Sequence, residues 1–182
     1  HYTANGTAGK DQSKIELIFA SQAPHERVLT VGAANGDFGI PPGESAYPVT
    51  SKLKFYGDAT IWSYAPHMHM RGKSFRFELV KPDGTREALL NVPHYDFNWQ
   101  HWYQPVTPLK VTAGTTIECF ATYDNSANNK FNPDPASEVH WGDQTWNEMM
   151  IGFMNVSFDA NKTPSDIFAE PKPAAQSAEL KR

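Results

Sequence analysis

A chain of 182 residues fits a single domain and is long enough to bury a sizeable core. Charged residues make up 20% and hydrophobic ones 40%, with 11 Phe, 7 Tyr and 5 Trp, which suits a packed globular protein and excludes a disordered one. The net charge of −4 gives no electrostatic reason to expect a nucleic-acid or anionic-membrane partner, and no apolar run approaches a membrane span. No signal peptide is present, so a mature form or an excised piece is expected. The single cysteine, Cys119, cannot form an internal disulfide, and cysteine usage leaves the compartment open.

The opening residues, His1 to Thr7, are polar and loop-like. Ile15, Leu17 and Phe19 alternate with Lys14, Glu16 and Ile18, which predicts a strand with one buried face. Arg27 to Val31 reads as a second short strand, and Asn35 to Gly43 as a loop by its Gly and Pro breakers. Leu53-Lys54-Phe55 leads toward a strand over Ala59 to Tyr64 that runs into Pro66-His67-Met68-His69-Met70-Arg71-Gly72. Successive strand side chains point to opposite faces, so His67 and His69 share one face and Met68 and Met70 the other.

Ser74 to Val80 and Arg86 to Leu90 flank Lys81-Pro82-Asp83-Gly84-Thr85. That is a hairpin with a stated mechanism, because Pro presets φ and Gly accepts a positive one. Pro93 to Gln104 is dense in aromatics, with His94 and His101 among them. Leu109 to Val111 and Thr116 to Tyr123 read as strands, Asp124 to Pro135 as a long surface loop, and Trp146 to Phe158 as a return to strand. Many short strands with Gly/Pro turns and no convincing amphipathic helix favour an all-β sandwich or barrel. One domain is expected over residues 1–163, with a Pro- and Ala-rich tail over 164–182 as a linker or loose end.

Two imidazoles projecting side by side from a strand are half of a transition-metal site; the alternative is a pair of solvated or half-buried histidines at a strand end. The segment Asn147-Glu148-Met149-Met150-Ile151-Gly152-Phe153 bears on the choice. A thioether beside two imidazoles selects copper, since soft sulfur favours Cu(I) while imidazole serves both oxidation states. Zinc more usually recruits a carboxylate or thiolate. Met149 can equally be core packing.

His67-Met68-His69-Met70-Arg71-Gly72-Lys73 resembles the His-Thr-His-x-x-Gly segment of the copper type II, ascorbate-dependent monooxygenases. Glu118 to Asp124 is similar to the strand before that family's variable loop, and Gly142 to Met149 to its Gly-x-x-x-x-(Asp/Glu)-Glu-Met segment. The resemblance spans most of Leu53 to Phe158. It implies the catalytic, C-terminal jelly-roll domain of the family, an antiparallel β-sandwich, with copper held by His67, His69 and Met149. It further implies dioxygen and a small-molecule or peptide substrate hydroxylated at a C–H bond, and ascorbate or another reductant as electron source. The setting it implies is secreted or periplasmic.

Two departures from the family pattern bear on this. The family pairs the cysteine matching Cys119 with a cysteine directly after the ligand methionine; Met150 stands there, so Cys119 is expected to be a buried free thiol. The family also carries a preceding domain with a second copper, whose third histidine lies in a His-Tyr dipeptide. His1-Tyr2 resembles it, so His1 is read as a ligand of a second copper site completed by a missing N-terminal domain, as a disordered terminal histidine, or as a copper chelate formed by its imidazole and a free N-terminal amine with another nearby His.

His94, His101 and His140 are read as packing residues or as groups orienting a ligand imidazole, and His25 and Arg71 as solvated, the alternative for Arg71 being a carboxylate partner. No hydrolase triad, phosphate loop or Cys-x-x-Cys pair is present. The alternative function is a non-catalytic copper-binding or interaction module on the same fold.

Overall fold

The computed structural model describes residues 5–171. In chain order the elements are β1 (Glu26–Ala34), β2 (Gly39–Ile40), β3 (Tyr47–Lys54), β4 (Ala59–His67), β5 (Gly72–Val80), β6 (Arg86–Val92), β7 (Leu109–Val111), β8 (Thr116–Tyr123), β9 (Val139–His140), β10 (Ile151–Asp159) and α1 (Pro164–Phe168). Strict alternation drives the strands: in β8 Ile117, Cys119, Ala121 and Tyr123 are buried, while Thr116, Glu118, Phe120 and Thr122 are half-exposed.

Two four-stranded sheets form, β1-β10-β4-β7 and β3-β8-β5-β6, and every pairing within them is antiparallel. With the short β2–β9 ribbon set aside, the first strand lies beside the last and the second beside the last but one. That is a long hairpin rolled up, the jelly-roll order of an all-β sandwich. Inward side chains of the two sheets meet in one core, where Tyr64 of β4 packs on Phe77 of β5 with ring centroids 5.4 Å apart. The outer face of the second sheet is polar: Arg86 bonds both Glu78 and Glu118, Lys52 pairs with Glu118, and Arg76 pairs with Glu78. The predicted β5–β6 hairpin forms as expected, with Gly84 at φ 87° in its turn.

The structure departs from the sequence reading in several places. Ile15 to Phe19 forms no strand, and Ile15, Leu17, Ile18 and Phe19 are exposed. Alternation supplies a face but not a partner, and no strand among the described residues pairs with this one. The return strand starts at Ile151 rather than Trp146. The loop at Asp124–Pro135 is anchored, because Asn125 is fully buried and its amide donates to the carbonyls of Pro41 and Ser137.

Finally, the stretch after Thr163 opens with a helical turn. The Asp166 carboxylate accepts from both the backbone N–H and the hydroxyl of Thr163. Ile167 is buried and the Phe168 ring packs on Phe55 and Phe158, so the packed core extends past 163.

Candidate metal centre

The strand that carries the histidines changes face midway. Ile61 points into the core, and simple alternation would then send Ser63, Ala65 and His67 inward as well. The pairing of β4 with β10 instead steps from Ser63↔Asn155 to Ile61↔Val156, leaving Trp62 as an extra, bulged residue. Beyond it Tyr64, Pro66 and Met68 are the buried set, and Ala65 and His67 face outward. The bulge is held by the Trp62 indole N–H donating to Ser157 Oγ and by Asn155 donating to Ser63 Oγ. It turns His67 outward, while His69, just past the end of β4, is 5% exposed.

His67 and His69 come together as expected, with ring centroids 5.2 Å apart and planes at 86°. Each ring is held through Nδ1: His67 Nδ1 lies 2.7 Å from Gln100 Oε1, and His69 Nδ1 lies 3.3 Å from the Asn147 carbonyl. Both oxygens only accept, so in the neutral rings the proton sits on Nδ1 and each Nε2 keeps its lone pair. Burial pushes the His69 pKa below its ordinary value, opposed by the Asn147 carbonyl and assisted by the His67 charge. A neutral imidazole is the form that binds a metal. Phe153 and Phe97 flank the pair, with ring centroids 5.8 Å from His67 and 6.2 Å from His69 respectively.

The turn after the strand is clamped from the other side of the site. Glu148, fully buried, accepts from the backbone N–H of His69 at 2.7 Å and of Arg71 at 2.6 Å, one bond to each carboxylate oxygen. Tyr95 holds Met68 at both backbone groups, accepting from its N–H and donating to its carbonyl, and the Tyr123 hydroxyl donates to the Met149 carbonyl. Burial drives the Glu148 carboxyl up to about 7, against the pull of those two N–H bonds and of the Arg71 cation. Arg71 itself is 1% exposed, which corrects the expectation of a solvated side chain. Its guanidinium donates to Asn125 Oδ1 and to the Trp146 carbonyl, bonds that an exposed arginine would give to water.

The β4–β10 ladder begins with Ile151 opposite His67, and Met149 lies two residues before Ile151, directly after the clamping Glu148. Met150 and Met154 are buried inward, so alternation turns Met149, Ile151 and Phe153 to the face that carries His67. Met149 is half-buried there. Met150 and Met154 are buried in the core, which leaves Met149 the outward member of the three.

Two neutral imidazoles with a thioether just before the neighbouring strand are a copper-type set of donors. Among the described residues no three His, Cys, Asp or Glu side chains gather as a metal-holding group. His94, His101 and His140 are exposed and none touches the pair; His101 packs on Trp99, and His140 Nδ1 faces the Phe38 carbonyl. His1 lies outside the described residues. Cys119 is a buried free thiol, as expected, with burial pushing it up to about 12. Sequence reasoning missed Gln100, Glu148 and Asn147. Only Glu148 carried a signal, its place directly before Met149.

A groove of about 340 Å³, lined by Met70, Lys73, Tyr95, Phe97, Asn129 and Phe131 among others, adjoins the site through Phe97. A larger groove of about 680 Å³ lies at the far end of β4, around Gly57 to Thr60, and contains no histidine.

No protein-family model matches the chain, and no curated protein matches it. Among solved structures, the chain is similar to that of the infectious bursal disease virus Gx strain, at 13% identity and TM-score 0.37, covering 79% of this chain and 34% of the viral one. It is also similar to the infectious bursal disease virus VP2 subviral particle, at 12% identity and TM-score 0.35, covering 78% and 35%. The chain thus spans about a third of the length of these viral chains.

Proposed function

We propose that His67, His69 and Met149 hold one copper ion and that the chain is the catalytic-type domain of an oxygen-activating monooxygenase. The observation that carries this reading is the pair of imidazoles, ring centroids 5.2 Å apart, each tied at Nδ1 to an acceptor oxygen. Copper there would supply one-electron redox chemistry for hydroxylating a substrate C–H bond with dioxygen, ascorbate or another reductant being the electron source.

The chain's own residues have defined parts. His67 and His69 set the ligand geometry, Glu148 and Tyr95 hold their backbone, and Phe97 and Phe153 keep water from the flanks of the rings. A substrate, small molecule or peptide, would approach over the outer face of β4 and β10. The exposed Ile15, Leu17, Ile18 and Phe19 support a partner domain carrying the second copper, because a strand pattern left unpaired suits the edge of another sheet. A secreted or periplasmic setting follows from the same reading.

Copper titration tests it. The chain is expected to bind about one copper, and His67→Ala with His69→Ala to abolish that binding. Unchanged stoichiometry in the double variant contradicts the site. Because hydroxylation takes two electrons per turnover, the isolated chain is expected to turn over poorly. Copper binding with no turnover even alongside an electron-delivering domain would favour the non-catalytic module instead.

A further inference from the structure

We propose that Gln100 is the positioning residue that fixes the His67 ring for metal binding, an inference that rests on reading His67 as a ligand. Gln100 Oε1 lies 2.7 Å from His67 Nδ1. An amide could turn over and present its NH₂ instead, but the other end is already committed: Gln100 Nε2 donates to the Phe97 carbonyl at 2.9 Å. With the amide held that way round, only its oxygen faces the ring. The oxygen accepts, so Nδ1 carries the proton and Nε2 is left open.

The support continues into the rest of the loop. The Asn98 and Trp99 backbone N–H groups both donate to Asp96, to its carboxylate and carbonyl respectively, closing a tight turn just before Gln100. Tyr95 is fastened to Met68 upstream and Tyr103 pairs with Tyr64 downstream through two backbone bonds. Phe97, which receives the Gln100 amide, sets its ring edge against His69. The segment from Tyr95 to Tyr103 is therefore a brace over both imidazoles. Gln100 is its one side-chain hydrogen bond to the His67 ring, made from an exposed position. His69 has a separate anchor in the Asn147 carbonyl, so the two rings can be perturbed independently.

The test begins with the metal-free protein. Long-range ¹H–¹⁵N correlation at a pH where both rings are neutral is expected to show His67 as the Nδ1–H tautomer. Gln100→Leu should shift His67 toward the Nε2–H form while leaving the His69 tautomer, set by the Asn147 carbonyl, unchanged. Competition titration should show Gln100→Leu binding Cu(I) about 10–100-fold more weakly, with Gln100→Glu, which keeps an acceptor at Nδ1, close to the parent. An unaltered His67 tautomer in Gln100→Leu, or unaltered copper affinity once the tautomer is lost, overturns the proposal. If the parent protein binds no copper at all, the metal-site reading fails and the positioning role for metal binding falls with it, while the tautomer measurement still reports whether Gln100 holds the ring.

Discussion

Removing the Glu148 carboxylate probes the clamp that shapes the site. Above about pH 7, where the Glu148 carboxyl is ionised, Glu148→Ala deletes two charge-assisted bonds, to the backbone N–H groups of His69 and Arg71, in a position with no solvent to replace them. Bonds to a charged group contribute about 1.5–3 kcal/mol each, so the pair amounts to about 3–6 kcal/mol. The loss also removes the stronger of the two acidic neighbours of buried Arg71 and leaves Asp134, which places the expected effect toward the upper part of that range. Glu148→Gln keeps one acceptor oxygen and turns an NH₂ toward the other N–H group, so roughly half the loss, about 2–3 kcal/mol, is expected. Urea denaturation followed by tryptophan fluorescence measures both variants. A loss below about 1 kcal/mol for Glu148→Ala would refute the reasoning, because the buried N–H groups must then have found other partners.

Two further outcomes follow from the core. Gly152→Ala places a Cβ within 2.8 Å of the Phe77 ring and against Cys119 Sγ, so a loss of about 1–3 kcal/mol is expected in denaturation curves. Cys119 should resist a thiol reagent in the native protein and react only on unfolding. Its folded pKa is raised to about 12, above the ordinary thiol value, so its contribution is fully present below about pH 9 and is lost as the pH rises toward 12. Stability of the parent should therefore fall across that alkaline window more steeply than stability of Cys119→Ala.

The features that sequence reasoning reached were those written in local pattern. The β5–β6 turn follows from Pro82, Asp83 and Gly84, and β8 from alternation alone. The sharing of one face by His67 and His69 also follows from alternation. Which face that is does not, because the bulge at Trp62 reverses the parity of β4, and a bulge depends on the partner strand rather than on the residues around it. Ile15 to Phe19 shows the converse, a sound strand pattern with nothing among the described residues to pair it. Arg71, Glu148 and Gln100 were opaque for another reason. A charged or amide side chain is exposed by default, and only the meeting of distant segments makes its burial or its ring contact necessary.

The most direct measurement of the central claim is X-ray absorption at the copper edge on the Cu(I)-loaded chain. A His67, His69 and Met149 site predicts two imidazole scatterers and one sulfur scatterer, with the sulfur lost in Met149→Leu and retained in Met150→Leu. A spectrum without sulfur in the parent, or one unchanged by Met149→Leu, would contradict it.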